Sequence, residues 1–194
     1  MPIDTLRHNA GIAPMDGDAP MWVLDTNVVL DWLVFDDPAM QQASTRLKSG
    51  RALWLATDAM REEALEVAAR PVFAKRGGAA DLCARIAAAY RDHARMLHPA
   101  GCASLRCADP DDQLFVDLAL EHAAELLLTR DRALLALAAA ARTRGLSIAR
   151  PQDVPWVLQR QAQTVSGSHA FAQARGAALG PDDHGDTQYD QRQR

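Results

Sequence analysis

Five aspartates fall where an apolar run ends or a helical one begins. Asp25 follows Met21 to Leu24 in MWVLDTNVVLDW, Asp131 follows the apolar run of LLLTRDRALL, and Asp109, Asp111 and Asp112 open the stretch DPDDQLFVDLALEHAA. A carboxylate at the end of a buried segment is costly unless something pairs with it. Several brought together repel, raise one another's pKa values and oppose folding unless a cation neutralises them. Hard divalent ions with oxygen ligands meet that need. Helix capping, worth about 1 kcal/mol, is the competing explanation for Asp111, Asp112 or Asp131 taken singly. It does not account for all of Asp109, Asp111 and Asp112, nor for Asp25, whose neighbours Thr26 and Asn27 cap equally well.

For these side chains to meet, the chain must bring the ends of several strands to one edge. Four short apolar runs read as buried parallel strands: MWVL, ALWLAT (52–57), ELLLT (125–129) and LSIA (146–149). Helical spacing follows each: NVVLDWLV, then DAMREEALEVAAR stopped by Pro71, then DRALLALAAAART ended by Gly145, then PQDVPWVLQRQ. Two more helices, around 81–97 and 111–122, fill the interval between the second and third strands. Strand and helix alternate, which predicts an α/β fold, a three-layer sandwich around a central, mainly parallel sheet. In such sheets polar functional residues collect at the carboxyl ends of the strands, where the loops open into a crevice.

The 194 residues, 48% hydrophobic and 24% charged, suit one domain with appendages, which we expect over 21–165. Residues 1–20 and the Gly-, Gln- and Asp-rich 166–194 have the composition of disordered segments. No apolar run reaches the roughly 18 residues that span a bilayer, and the first residues have no signal-peptide pattern, so a cytoplasmic protein is expected. Cys83, Cys102 and Cys107 are odd in number and match no common zinc spacing, so reduced thiols are expected. The net charge of −4 argues against a protein that coats nucleic acid by bulk electrostatics, and any such contact must be local.

Three blocks, VLDTNVVLDWL, TDAMREEALEVA and ADPDDQLFVDLALEHAAELLLTRDRALL, resemble the successive signatures of PIN-domain ribonucleases, in the branch counted as toxins of toxin–antitoxin pairs. The resemblance covers about residues 21–155 in the family's order and spacing. It implies a PIN-like fold and an Mg²⁺- or Mn²⁺-dependent endoribonuclease acting on single-stranded or structured RNA. Asp25, Glu63, Asp112 and Asp131 are then the metal-binding and catalytic carboxylates. Asp112 stands eight residues ahead of Leu120 in the family's acid-to-Ala-Leu spacing. Glu62 and Glu66 compete with Glu63, which the register of EEALEVA favours. Asn27 and Thr129 resemble the polar residues that orient the acids, with Asp109 in support. Asp117 falls on a different helical face from Asp112. The resemblance further implies a small antitoxin partner, with Trp32, Leu33 and Phe35 as candidates for its contact, and a homodimer.

Arg130 and Arg132, flanking Asp131, are the expected substrate-binding residues, with Lys75, Arg76 and Arg106 as further candidates for phosphate. Trp54 reads as core, Trp32 and Trp156 as core or interface, and His93 and His98 as surface helix. Asp31 reads as surface. Two rival functions remain: a catalytically weak PIN-like module that binds RNA or protein, and a haloacid-dehalogenase-like phosphatase with Asp25 as nucleophile. The phosphatase needs an acid two residues after Asp25, where Asn27 stands, and a lysine in a middle block that has none.

Overall fold

A computed structural model describes residues 19–73, 76, 78–101, 103–155 and 157. The expected disorder at 1–18 and 166–194 falls outside these residues, as do Lys75, Cys102 and Trp156. Five strands form one sheet in the order β3-β2-β1-β4-β5. They are β1 (Met21–Leu24), β2 (Leu53–Thr57), β3 (Ala94–Leu97), β4 (Leu126–Leu128) and β5 (Ser147–Ala149). Every pairing is parallel. The apolar runs form strands because both faces of this sheet are covered, so β2 and β4 are buried along their whole length.

The helices are α1 (Thr26–Leu33), α2 (Gln41–Lys48), α3 (Asp58–Ala68), α4 (Ala79–His93), α5 (Gln113–Glu121), α6 (Arg132–Ala136) and α7 (Ala138–Arg142). Helices α1, α3 and α4 pack on one another, whereas α5 packs on β1, β2 and β4. The result is a three-layer α/β sandwich. Its centre is aromatic: Trp22 and Trp54 sit opposite one another in the β1–β2 register, and the Trp54 ring lies 4.4 Å from Tyr90 and 5.9 Å from Trp32. Among the described residues no helix is long and apolar enough to cross a membrane.

Local signals set the helix ends. The Thr57 hydroxyl accepts from the Met60 amide to start α3, which ends just before Pro71, and Gly145 takes the left-handed φ of +84° that closes the chain after α7. Three expectations need correction. The helix foreseen over 81–97 stops at His93, and Ala94–Leu97 becomes β3, because it pairs from Trp54↔Ala94 to Thr57↔Leu97. The single helix after β4 is two short ones, broken at Leu137. Helix α2 had no counterpart in the sequence reading; only Ala43 and Leu47 of its eight residues are buried.

Candidate active site

The strand order reverses between β1 and β4. Strands β2 and β3 continue on one side of β1 while β4 and β5 lie on the other, so the crevice for a ligand opens at the carboxyl ends of β1 and β4. Asp25 and Thr129 are the residues immediately beyond those ends. The Asp25 amide donates to the Leu128 carbonyl at 2.9 Å, extending the β1–β4 pairing by one step. Asp25 itself is only 2% exposed.

Thr129 joins the two chain ends. Its hydroxyl donates to Asp25 Oδ2 at 2.7 Å, and its oxygen accepts from the Asp131 amide at 2.9 Å. Asp25 also caps α1, accepting from the Asn27 amide at 3.3 Å. Burial raises the Asp25 pKa above the ordinary carboxylate value and the Asp131 charge adds to this, against the lowering effect of the Thr129 and Asn27 donors.

Asp131 does cap a helix, as the competing explanation required: Oδ1 accepts from the Ala133 amide at 2.6 Å and the Leu134 amide at 3.3 Å. Its charge also raises the pKa of Asp112, which places the two carboxyl groups within electrostatic reach of each other. Asp112 precedes α5 without capping it, so its carboxyl is left to the cluster. Burial, then the charges of Asp25, Asp131 and Asp109, push the Asp112 pKa up to about 7. Asp109 is exposed and its carboxylate accepts from the Asp111 amide at 3.0 Å.

Glu63 reaches the same region from α3. Burial raises its pKa, with the charges of Asp25 and Asp111 adding to the shift. Glu62 and Glu66 are exposed, which removes them from this group. Two neighbours escaped the sequence reading. The charge of Asp111 bears on Glu63, and the buried hydroxyl of Thr26 lies beside Glu63 and lowers its pKa as a hydrogen-bond donor. The signal for Thr26 was its place in LDTN, where it was read as a spare cap.

The donors are all oxygens: four carboxylates, one of them buried and one holding its proton to near neutrality, with the Thr26 hydroxyl beside Glu63. That set suits a hard divalent cation. Among the described residues no three His, Cys, Asp or Glu side chains already surround a common point, so the fit lies in the chemistry of the donors.

Several expected roles change. Arg130 is held by Asp31 and, at 2.5 Å, by Asp37, so it clamps the end of α1 and the following turn to the loop after β4 rather than facing solvent for substrate. Asp31 is therefore not a surface residue; its side chain is 17% exposed. Arg132 and Arg106 are exposed, and Arg76 lies 4.8 Å over the Phe35 ring. Trp32 is buried, 6.0 Å from the His93 ring, which removes Trp32 as a partner contact and His93 from the open surface; Phe35 stays exposed.

Asp117 has a bonding role that its helical position alone did not suggest. It accepts from the Ala103 amide at 2.8 Å and from Gln113 Nε2 at 2.7 Å, while Gln113 accepts from the Cys107 amide and Glu121 from the Gly101 amide. One side of α5 thus grips the loop that leads to Asp109, Asp111 and Asp112.

The model of one protein family, described as the PIN domain, matches residues 22–133. No curated protein matches the chain.

Proposed function

The chain belongs to the PIN-domain family, a family of nuclease-type folds that hydrolyse nucleic acid, and from that premise we propose a divalent-metal-dependent endoribonuclease. The observation that carries the proposal is Thr129 joining Asp25 to Asp131 at the β1/β4 reversal, with Asp112 within electrostatic reach of both. Asp25, Glu63, Asp112 and Asp131 would hold Mg²⁺ or Mn²⁺. Bound there, such ions supply a water acidic enough to attack at neutral pH and neutralise charge on the oxygens of an in-line displacement at phosphorus.

The protein's own residues do the positioning. Thr129 and Asn27 fix the orientation of Asp25, and burial keeps competing water from that carboxylate. Asp112 gives up its proton when the cluster takes up positive charge, so metal affinity rises with pH through the neutral range. Asp109 supports Asp112 from the loop. Single-stranded RNA as substrate, an antitoxin partner, a homodimer, a cytoplasmic site of action and a nuclease domain over 21–165 rest on family analogy.

The test uses the purified full chain and a fluorescent single-stranded RNA. Cleavage is expected with Mn²⁺ or Mg²⁺, none in chelator, and none from Asp25→Asn, whose circular dichroism stays that of the parent. An Asp25→Asn protein that cuts as fast as the parent overturns the assignment.

A further inference from the structure

With Arg130 held by Asp31 and Asp37, Arg132 is the one arginine beside Asp131 left of the two that the sequence offered for substrate. An anionic polymer must still be drawn to a chain of net charge −4, and that takes a local positive surface. The cavities differ in this respect. One, near Trp32, sets Lys48 and Arg85 against Asp36 and Asp37; another, beside α5, sets Arg144 against Asp117 and Glu121. A third, of about 630 Å³, is lined by Arg61, Arg91 and Arg95 with Tyr90 and Met96, and by no acid.

We propose that this arginine-lined cavity along the open edge of the sheet binds the phosphodiester backbone of single-stranded nucleic acid and leads it to the carboxylate cluster. The three arginines come from three elements: Arg61 from α3, Arg91 from the last turn of α4 and Arg95 from β3, the edge strand. All three line one cavity whose wall holds no acid, and the two aspartates paired with Arg61 and Arg91 outside that wall leave a net positive charge. Arg61 is paired with Asp58 at 3.0 Å and Arg91 with Asp92 at 2.8 Å, but both pairs are exposed and such pairs are weakly held, so phosphate can replace the carboxylates. Arginine suits the task because its planar fork takes two phosphate oxygens at once.

The cavity shares helix α3 with the cluster, through Arg61 in its wall and Glu63 two residues on. Tyr90 forms part of its wall and donates to the Met60 carbonyl at 3.3 Å, three residues before Glu63 on the same helix. The Tyr90 hydroxyl lies within electrostatic reach of Glu63 and Asp25. Contacts of this kind position the backbone without reading bases, so cleavage specificity would have to come from elsewhere.

This inference rests on the nuclease reading, and one experiment separates the two. Fluorescence anisotropy of a labelled single-stranded RNA, and of a DNA of the same sequence, is followed in chelator across a salt series for the full chain and for the triple variant R61A/R91A/R95A. The expected result is at least a tenfold (~10-fold) weaker affinity and a salt slope smaller by about 2, from roughly 0.7 per lost phosphate contact on single strands. The triple lysine variant, which keeps the charge, is expected to retain most of the slope and controls for folding. Unchanged affinity and slope in the alanine variant overturn the proposal and leave an acidic protein as the cavity's ligand. Equal loss in the lysine variant, or no binding by the parent, overturns it too. A parent that binds through these arginines but never cleaves refutes the nuclease reading alone; one that cleaves while the alanine variant binds normally refutes the cavity alone.

Discussion

Thr129 donates its hydroxyl to Asp25 across 104 residues of sequence, and this one bond ties the ends of the two strands where the sheet order reverses. Both residues are buried, so the hydroxyl is the counterpart that makes the Asp25 charge tolerable. Thr129→Val keeps the shape and removes the donor. The expected loss is about 1–3 kcal/mol of stability at neutral pH, read as a lower urea midpoint with an unchanged slope. Thr129→Ser is expected to restore most of it; a valine variant as stable as the parent would show that the bond is dispensable.

The acids make the fold sensitive to pH in a defined direction. Asp25, Glu63 and Asp112 have pKa values above their ordinary ones, chiefly through burial, with Asp112 at about 7. Between their unfolded values near 4 and these raised values, the folded chain binds more protons than the unfolded chain, so stability falls as pH rises through that window. Below it the penalty is gone. Urea midpoints in chelator should therefore decline from about pH 4 to pH 7, and Asp112→Asn should flatten the decline. A midpoint that climbs over the same range contradicts the arrangement.

Arg130 holds two acids that lie 99 and 93 residues away. Removing it leaves Asp31 and Asp37 half-buried without their cation, and we expect Arg130→Ala to cost about 1–3 kcal/mol. Arg130→Lys should not recover the loss, because one ammonium cannot span two carboxylates as the guanidinium fork does. A double-mutant cycle with Asp31→Asn measures the coupling. Additive effects would mean that the clamp does not act as a unit.

Asp117 and Gln113 hold the loop before the aspartate block through the amides of Ala103 and Cys107. Asp117→Ala takes the acceptor away from two donors, the Ala103 amide and the Gln113 side chain. Hydrogen exchange should become faster at Ala103 and Cys107 while the β1 and β4 amides keep their protection. Protection lost evenly across the sheet would point to general destabilisation instead.

The layered fold was legible because strands buried on both faces are plain apolar runs, as in MWVL and LLL. Strand β3 was not, because ARML follows a helix with no Gly or Pro between them and carries Arg95 at the sheet edge, where a charge is tolerated. Helix α2 hid for a similar reason: QQASTRLK buries too little to leave a periodic stripe. At the candidate site, Asp25 and Asp131 stand out by their places after apolar runs, whereas Glu63 and Asp112 came from the family resemblance. The fate of Arg130 could not, since no local spacing links it to Asp31 or Asp37, and an arginine beside an aspartate looks the same whether it meets solvent or two distant carboxylates.

The central place of β1 has a further consequence for synthesis. Its partner on one side, β2, is made within 33 residues, but the other, β4, arrives only at Leu126. Until then a nascent chain has one bare flank on its innermost strand, Asp25 lacks the Thr129 hydroxyl, and Asp131 does not yet exist. The order of translation thus makes the acid cluster one of the last parts of the sheet to be completed, and a chain cut short before Leu126 carries Asp25, Glu63 and Asp112 without Thr129 and Asp131.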